Sequence, residues 1–155
     1  MSGTDSSAAA SGGSAPDSPG TRITLPSGAI VRGRGRDQSP ASPDFTVLLA
    51  GGPAPADGEH RRIRWPDFWI PVDPASALET LGEALDRARA GERVEIACRG
   101  GIGRTGTALC ALAIMDGVPR REAVDWVRQR YHRHAVETPW QRWWLWRVTP
   151  RPVLT

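Results

Sequence analysis

The sequence predicts an α/β fold: a mainly parallel central sheet flanked by helices, with an N-terminal β-hairpin. Three observations predict it. Short apolar runs bounded by turn residues, at 45–50 and 93–97, read as buried strands. Stretches with helix-start signals follow or interleave with them, at Asp73-Pro74, Arg104, Pro119 and Thr138-Pro139. The segment "RITLPSGAIVRGR" folds back on itself at Pro26-Ser27-Gly28. Strands mixed with helices place helices on a mainly parallel sheet.

The elements follow in order. Residues 1–20 are rich in Ser, Gly, Ala and Pro and are expected to be a disordered tail, because they cannot offset their ordering entropy. The folded domain is expected over 21–155. After the hairpin, "DQSPASPD" is a loop, "FTVLLA" (45–50) a buried strand and "GGPAPADGE" another loop. "HRRIRW" (60–65) is a third strand candidate, with Ile63 and Trp65 on one face and Arg62 and Arg64 on the other. Asp73 caps the next helix, Pro74 opens it, and Leu78, Leu81, Leu85 and Ala88 fall at helical spacing before Gly91 ends it. "RVEIA" (93–97) is the central strand. A helix over 104–116 follows the glycine turn, another runs from Pro119 to about Tyr131, and "WQRWWLWRV" forms the last.

Bulk composition bounds the function. The 155 residues suffice for one domain with a sizeable core. Net charge is +3 and all twenty basic residues are Arg, which reads as coding bias; a mild positive balance suits an anionic substrate without requiring one. Cys98 and Cys110 are too few for a disulfide framework. No signal peptide or apolar run of transmembrane length is seen, so a cytoplasmic, monomeric protein with reduced thiols and no membrane insertion is expected.

The segment "VEIACRGGIGRTGTAL" (94–109) carries the chemistry. "GIGRTG" (101–106) matches G-x-G-x-x-G between a strand and a helix, but a dinucleotide fold needs a second parallel strand after that helix. Here the next segment, "PRREAVDWVRQRYH", is helical. A Walker A loop would need Lys where Arg104 stands. The other reading starts at Cys98, with Arg104 six positions on. A strand ending at a cysteine, glycines that let the backbone curl, and a helix starting at an arginine form an anion-binding nest. Arg104 offers a bidentate fork to phosphate oxygens, and the same positive field favours Cys98 as a thiolate nucleophile.

"CRGGIGRTG" resembles the signature loop of the cysteine-dependent protein tyrosine and dual-specificity phosphatases, in which Cys, five residues and Arg are followed by Ser or Thr. "RWPDFWIP" (64–71) resembles the family's WPD loop, and "AVETPWQRW" (135–143) its late glutamine segment. The resemblance covers most of 21–148. It implies hydrolysis of phosphomonoesters, phosphotyrosine above all, through a cysteinyl-phosphate, with no cofactor or metal. In that reading Cys98 is the nucleophile and the loop of Arg99, Gly100, Gly101, Ile102, Gly103 and Arg104 binds the phosphate. Asp67 is the general acid, Thr105 donates to the Cys98 sulfur, and Gln141 orients the hydrolytic water. The implied partner is a phosphorylated protein or another phosphomonoester; a catalytically inactive phosphate binder and a phosphoinositide or polyanion phosphatase are the alternatives.

Several residues carry competing readings. Asp73 is a rival acid, better placed as a helix cap. Gln141 also sits at N3 of a capping box led by Thr138. Cys110 reads as core rather than as a resolving thiol. His132 and His134 read as a solvated basic loop rather than a metal site. Trp140, Trp143 and Trp144 read as a core stripe. "RGRGR" (32–36) reads as solvated charge rather than a nucleic-acid arm, so no nucleic-acid partner is expected. Two positions depart from the family: Ala97 stands where His is usual, and Arg99 directly follows the cysteine.

Overall fold

The computed structural model describes residues 20–153. The expected N-terminal tail falls, apart from Gly20, outside the described residues. Five strands, β1 (Arg22–Thr24), β2 (Ile30–Gly35), β3 (Phe45–Leu48), β4 (Glu59–Arg62) and β5 (Val94–Cys98), form one sheet in the order β1-β2-β5-β3-β4. The hairpin pair β1–β2 is antiparallel; β2–β5, β5–β3 and β3–β4 are parallel. Among the described residues there are four α-helices, of which the first three follow the sequence expectations closely: α1 (Pro74–Arg89), α2 (Gly103–Met115), α3 (Arg120–Arg130) and α4 (Pro139–Trp144).

Alternation along the strands separates two faces. Val31, Phe45, Val47, Val94, Ile96 and Cys98 join the apolar core, against which α1 and α2 pack. Helix α2 is buried along its whole length, because α1, α3 and the sheet surround it. The opposite face of the central strands carries Arg32, Arg34, Thr46 and Glu95. Glu95 is buried and binds both Arg32 (3.0 Å) and Arg34 (2.7 Å), and it accepts the Ala41 N–H at 2.8 Å. That triad pins the 36–44 connection from β2 to β3 across this face without a helix. It also corrects the reading of "RGRGR" as solvated charge: Arg34 is buried, Arg32 is partly buried, and only Arg36 of the three is exposed.

Three further expectations change. The last helix covers only α4, then tightens to a 3₁₀ turn at Leu145–Arg147. Of the supposed tryptophan stripe only Trp144 is buried, packed edge-on to Trp65 at 5.2 Å; Trp140 and Trp143 face solvent. A six-residue helix at the protein surface has one inward face, and Trp144 and Gln141 occupy it. His132 is buried rather than solvated, with Nδ1 accepting the His134 N–H at 3.0 Å. Cys110 lies wholly in the core as expected, its thiol pushed up in pKa by burial. Among the described residues no helix is long and apolar enough to cross a membrane.

Candidate active site

The site forms where the parallel strands end. Cys98 is the last residue of β5, paired with Gly35 of β2, and α2 starts five residues later. Between them the chain must reverse tightly. Gly101 takes φ +75°, and a Cβ there would collide with the Gly35 nitrogen, so only glycine fits. The Cys98 Sγ accepts the Gly101 N–H at 3.1 Å. The Arg36 N–H donates to the Arg99 carbonyl at 3.1 Å, tying the loop to the end of β2.

A second tie has no signal in the sequence. The Tyr131 hydroxyl, at the end of α3, donates to the Gly101 carbonyl. Its ring lies so close over β2 that a Cβ on Gly33 would be 2.7 Å away. Burial above all, and then the charge of Cys98, push the Tyr131 phenol up in pKa, which keeps the hydroxyl a donor.

Arg104, in the first turn of α2, is buried. Its Nη1 donates to two carbonyls, Leu49 after β3 (3.1 Å) and Trp65 (2.9 Å). The guanidinium thus joins the signature loop to the segment after β4. In that segment Pro66–Trp69 is a turn closed by the Trp69 N–H on the Pro66 carbonyl (3.1 Å), with Phe68 at φ +59°. The turn presents Asp67 half-exposed, Oδ1 lying 3.5 Å from Arg104 Nε. Trp65 Nε1 donates to the Trp69 carbonyl (2.6 Å), and Trp140 Nε1 donates to the Phe68 carbonyl (2.5 Å). Asp67 and Arg104 are therefore brought together beside the loop that begins at Cys98. Asp73 is not; it caps α1, accepting the Ser76 N–H at 3.1 Å.

Other candidates stand differently. Arg99 and Gly100 are exposed on the loop rim, and Ile102 is partly buried. Thr105 is fully buried, and its Oγ1 has no hydrogen-bond partner, so no bond to the Cys98 sulfur is formed here. Gly101 supplies that donor instead. Gln141 is fully buried and its amide is committed: Oε1 accepts the N–H groups of Glu137 (2.8 Å) and Thr138 (3.2 Å), and Nε2 donates to the Trp69 carbonyl (3.1 Å). Thr138 Oγ1 returns the capping-box bond to the Gln141 N–H. The carboxyl that lies against the loop belongs to Glu137. A Cβ on Gly103 would collide with its Oε1. Glu137 lies inside the quoted segment "AVETPWQRW", where the capping pattern draws attention to Gln141 instead.

Ala97 lines a cavity of about 200 Å³ together with Arg34, Arg36, Leu48 and Cys98. Where the family usually has His, Ala97 thus borders open space shared with Cys98.

With this arrangement in view, the wider similarities define its class. Residues 59–138 match the family model described as protein-tyrosine phosphatase, and the chain belongs to that family. The "Tk-PTP in the active form" crystal structure matches with a TM-score of 0.58 and 32% identity, over 69% of this chain and 78% of that one. The crystal structure of a glycine-to-alanine mutant form of Tk-PTP matches with a TM-score of 0.64 and 26% identity, over 83% and 93%. Receptor-type tyrosine-protein phosphatase epsilon of Rattus norvegicus and that of Mus musculus are each 38% identical over 63 residues, 39% of this chain. The chain aligns with only 9% of the length of those curated relatives.

Proposed function

We propose that this protein hydrolyses phosphomonoesters, phosphotyrosine first among them, through a cysteinyl-phosphate. Cys98 attacks phosphorus; a P–S bond forms as the bond to the leaving oxygen breaks, and Asp67 protonates that oxygen. The loop amides, the N-terminus of α2 and Arg104 stabilise the equatorial oxygens. Water then displaces the Cys98 sulfur and releases phosphate. The observation that carries this reading is the convergence of Cys98, the glycine-rich loop, buried Arg104 and Asp67 on one end of the sheet. Arg36 and Arg99, both exposed beside the loop, favour a second reading in which the preferred ester is more highly charged, as in a phosphoinositide.

The test is turnover of an aryl phosphate with chelator and reductant present, comparing the parent with Cys98→Ser. Vanadate-sensitive turnover that Cys98→Ser abolishes supports the reading. A folded parent that binds phosphopeptide without turning it over would make the protein a phosphate binder. A preference for phosphoinositide over phosphotyrosyl peptide would select the second substrate class.

A further inference from the structure

We propose that Tyr131 is a positioning residue of the phosphate cradle: by donating its hydroxyl to the Gly101 carbonyl, it turns the Ile102 N–H toward the bound phosphate. The inference rests on the phosphate reading of the loop above. It assigns a residue outside the three segments that carry the family resemblance.

Peptide geometry makes the link. The Gly101 carbonyl and the Ile102 N–H belong to one planar trans peptide, in which the two groups point in opposite directions. A donor that fixes the carbonyl therefore fixes the N–H as well, and turns it away from Tyr131. Among the described residues no protein group accepts the Ile102 N–H. It stands next to the Gly101 N–H, which points at Cys98 Sγ (3.1 Å). Successive amides of this kind form a concave donor set for an oxyanion. Without the tyrosine bond, a glycine at this point leaves the carbonyl free to rotate toward sulfur and phosphate, where its partial negative charge opposes both.

Strand β2 is built to admit this side chain. Gly33 and Gly35 lie on one face of β2, and Arg32 and Arg34 on the other, where they meet Glu95. A Cβ on Gly33 would sit 2.7 Å from the Tyr131 ring, and one on Gly35 would sit 3.0 Å from the Gly100 carbonyl oxygen. The two glycines of "RGRGR" thus make room for the ring and for the loop it supports. Tyr131 is fully buried, and its N–H closes the end of α3 on the Val127 carbonyl (2.7 Å), so the ring is held in place. Burial first, and the Cys98 charge next, raise the phenol's pKa against the Gly20 amide and Arg32, so the hydroxyl keeps its proton and donates.

Two kinds of measurement on the full chain test it. In the nitrogen–proton correlation spectrum of the parent, tungstate should shift the Ile102 amide downfield along with other amides of residues 99–104. Tyr131→Phe keeps the ring and removes only the oxygen. In that variant the Ile102 shift should shrink, and kcat/KM for para-nitrophenyl phosphate and vanadate affinity should each fall roughly 10-fold, because a donor is loosened and not removed. Alkylation of Cys98 separates this from a packing defect. Iodoacetate carries a negative charge that the cradle attracts, and iodoacetamide does not. The parent should prefer iodoacetate, and Tyr131→Phe should lose roughly 10-fold of that preference. An Ile102 amide that ignores tungstate while its neighbours respond would overturn the assignment. So would a Tyr131→Phe variant with a lowered thermal midpoint but an alkylation preference and vanadate inhibition within about twofold of the parent. Tungstate that shifts no amide of the loop would instead remove the phosphate reading beneath it.

Discussion

Arg104 donates its Nη1 to the carbonyl of Trp65 at 2.9 Å. The residue that cradles phosphate in the proposed reaction therefore also anchors the turn that carries the acid. Arg104→Lys removes the guanidinium that reaches the Leu49 and Trp65 carbonyls and, in the proposed reaction, the phosphate. We expect kcat/KM to fall at least about 100-fold, with weaker vanadate inhibition, while the circular dichroism spectrum is retained. Parent-like inhibition would show that phosphate is held elsewhere.

In the proposed reaction Asp67 acts at the leaving oxygen. Asp67→Asn should slow hydrolysis of a phenyl phosphate by roughly 100-fold or more, yet slow an ester of a very acidic phenol far less. The measurement is the leaving-group dependence of kcat/KM. Equal losses across the series would assign the proton to another group.

Gln141 is predicted to matter through structure. Removing its buried amide orphans the N–H groups of Glu137 and Thr138 and removes a donor to the Trp69 carbonyl. Gln141→Ala should cost about 2 kcal/mol of stability, read by denaturant unfolding. An unchanged midpoint would mean that water replaces the capping box without loss.

Glu95 acts on the fold rather than on the chemistry, although its strand ends at Cys98. Its carboxylate is enclosed with Arg32 and Arg34. Glu95→Ala leaves Arg34 buried without its partner and should cost about 3–5 kcal/mol, seen as a lowered thermal midpoint. A shift too small to resolve would show that the guanidinium finds water.

The raised pKa of Glu137 sets the sign of a pH effect. Its base form is depleted at pH values where an ordinary glutamate is already ionised. Denaturant unfolding of the parent and of Glu137→Gln, followed across pH, reads that effect on stability. The folded state holds this proton more tightly than the unfolded chain, so Glu137 lowers stability as pH climbs between the two values, and Glu137→Gln removes that slope.

Much of this is legible before any coordinates. The hairpin, α1 with its Asp73 cap, the strand into Cys98 and the helix from the glycine turn each have a local signal, and each stands close to where that signal places it. What the sequence leaves hidden has a common cause. Arg34 meets Glu95 across 61 positions, Tyr131 reaches Gly101 across 30, and Trp140 reaches Phe68 across 72. No local periodicity encodes such pairs. Trp140 and Trp143 are exposed despite their core-like spacing, because apolar spacing alone does not tell how short a helix is or how much of it the core covers.

The sequence by itself determined the class of fold and the loop that starts at Cys98. Strand, cysteine, glycines, arginine and helix are consecutive, and their chemistry depends on backbone conformations that adjacent residues dictate. Only the tertiary structure decided which carboxyls share that loop and which amide is already spent. Those outcomes depend on where separate elements dock, on the bonds that Arg128 and Gln141 make to the backbone of Val136 and Glu137, and on the close fit of Glu137 against Gly103. Docking of distant segments is a property of the packed whole, and no stretch of chain carries it alone.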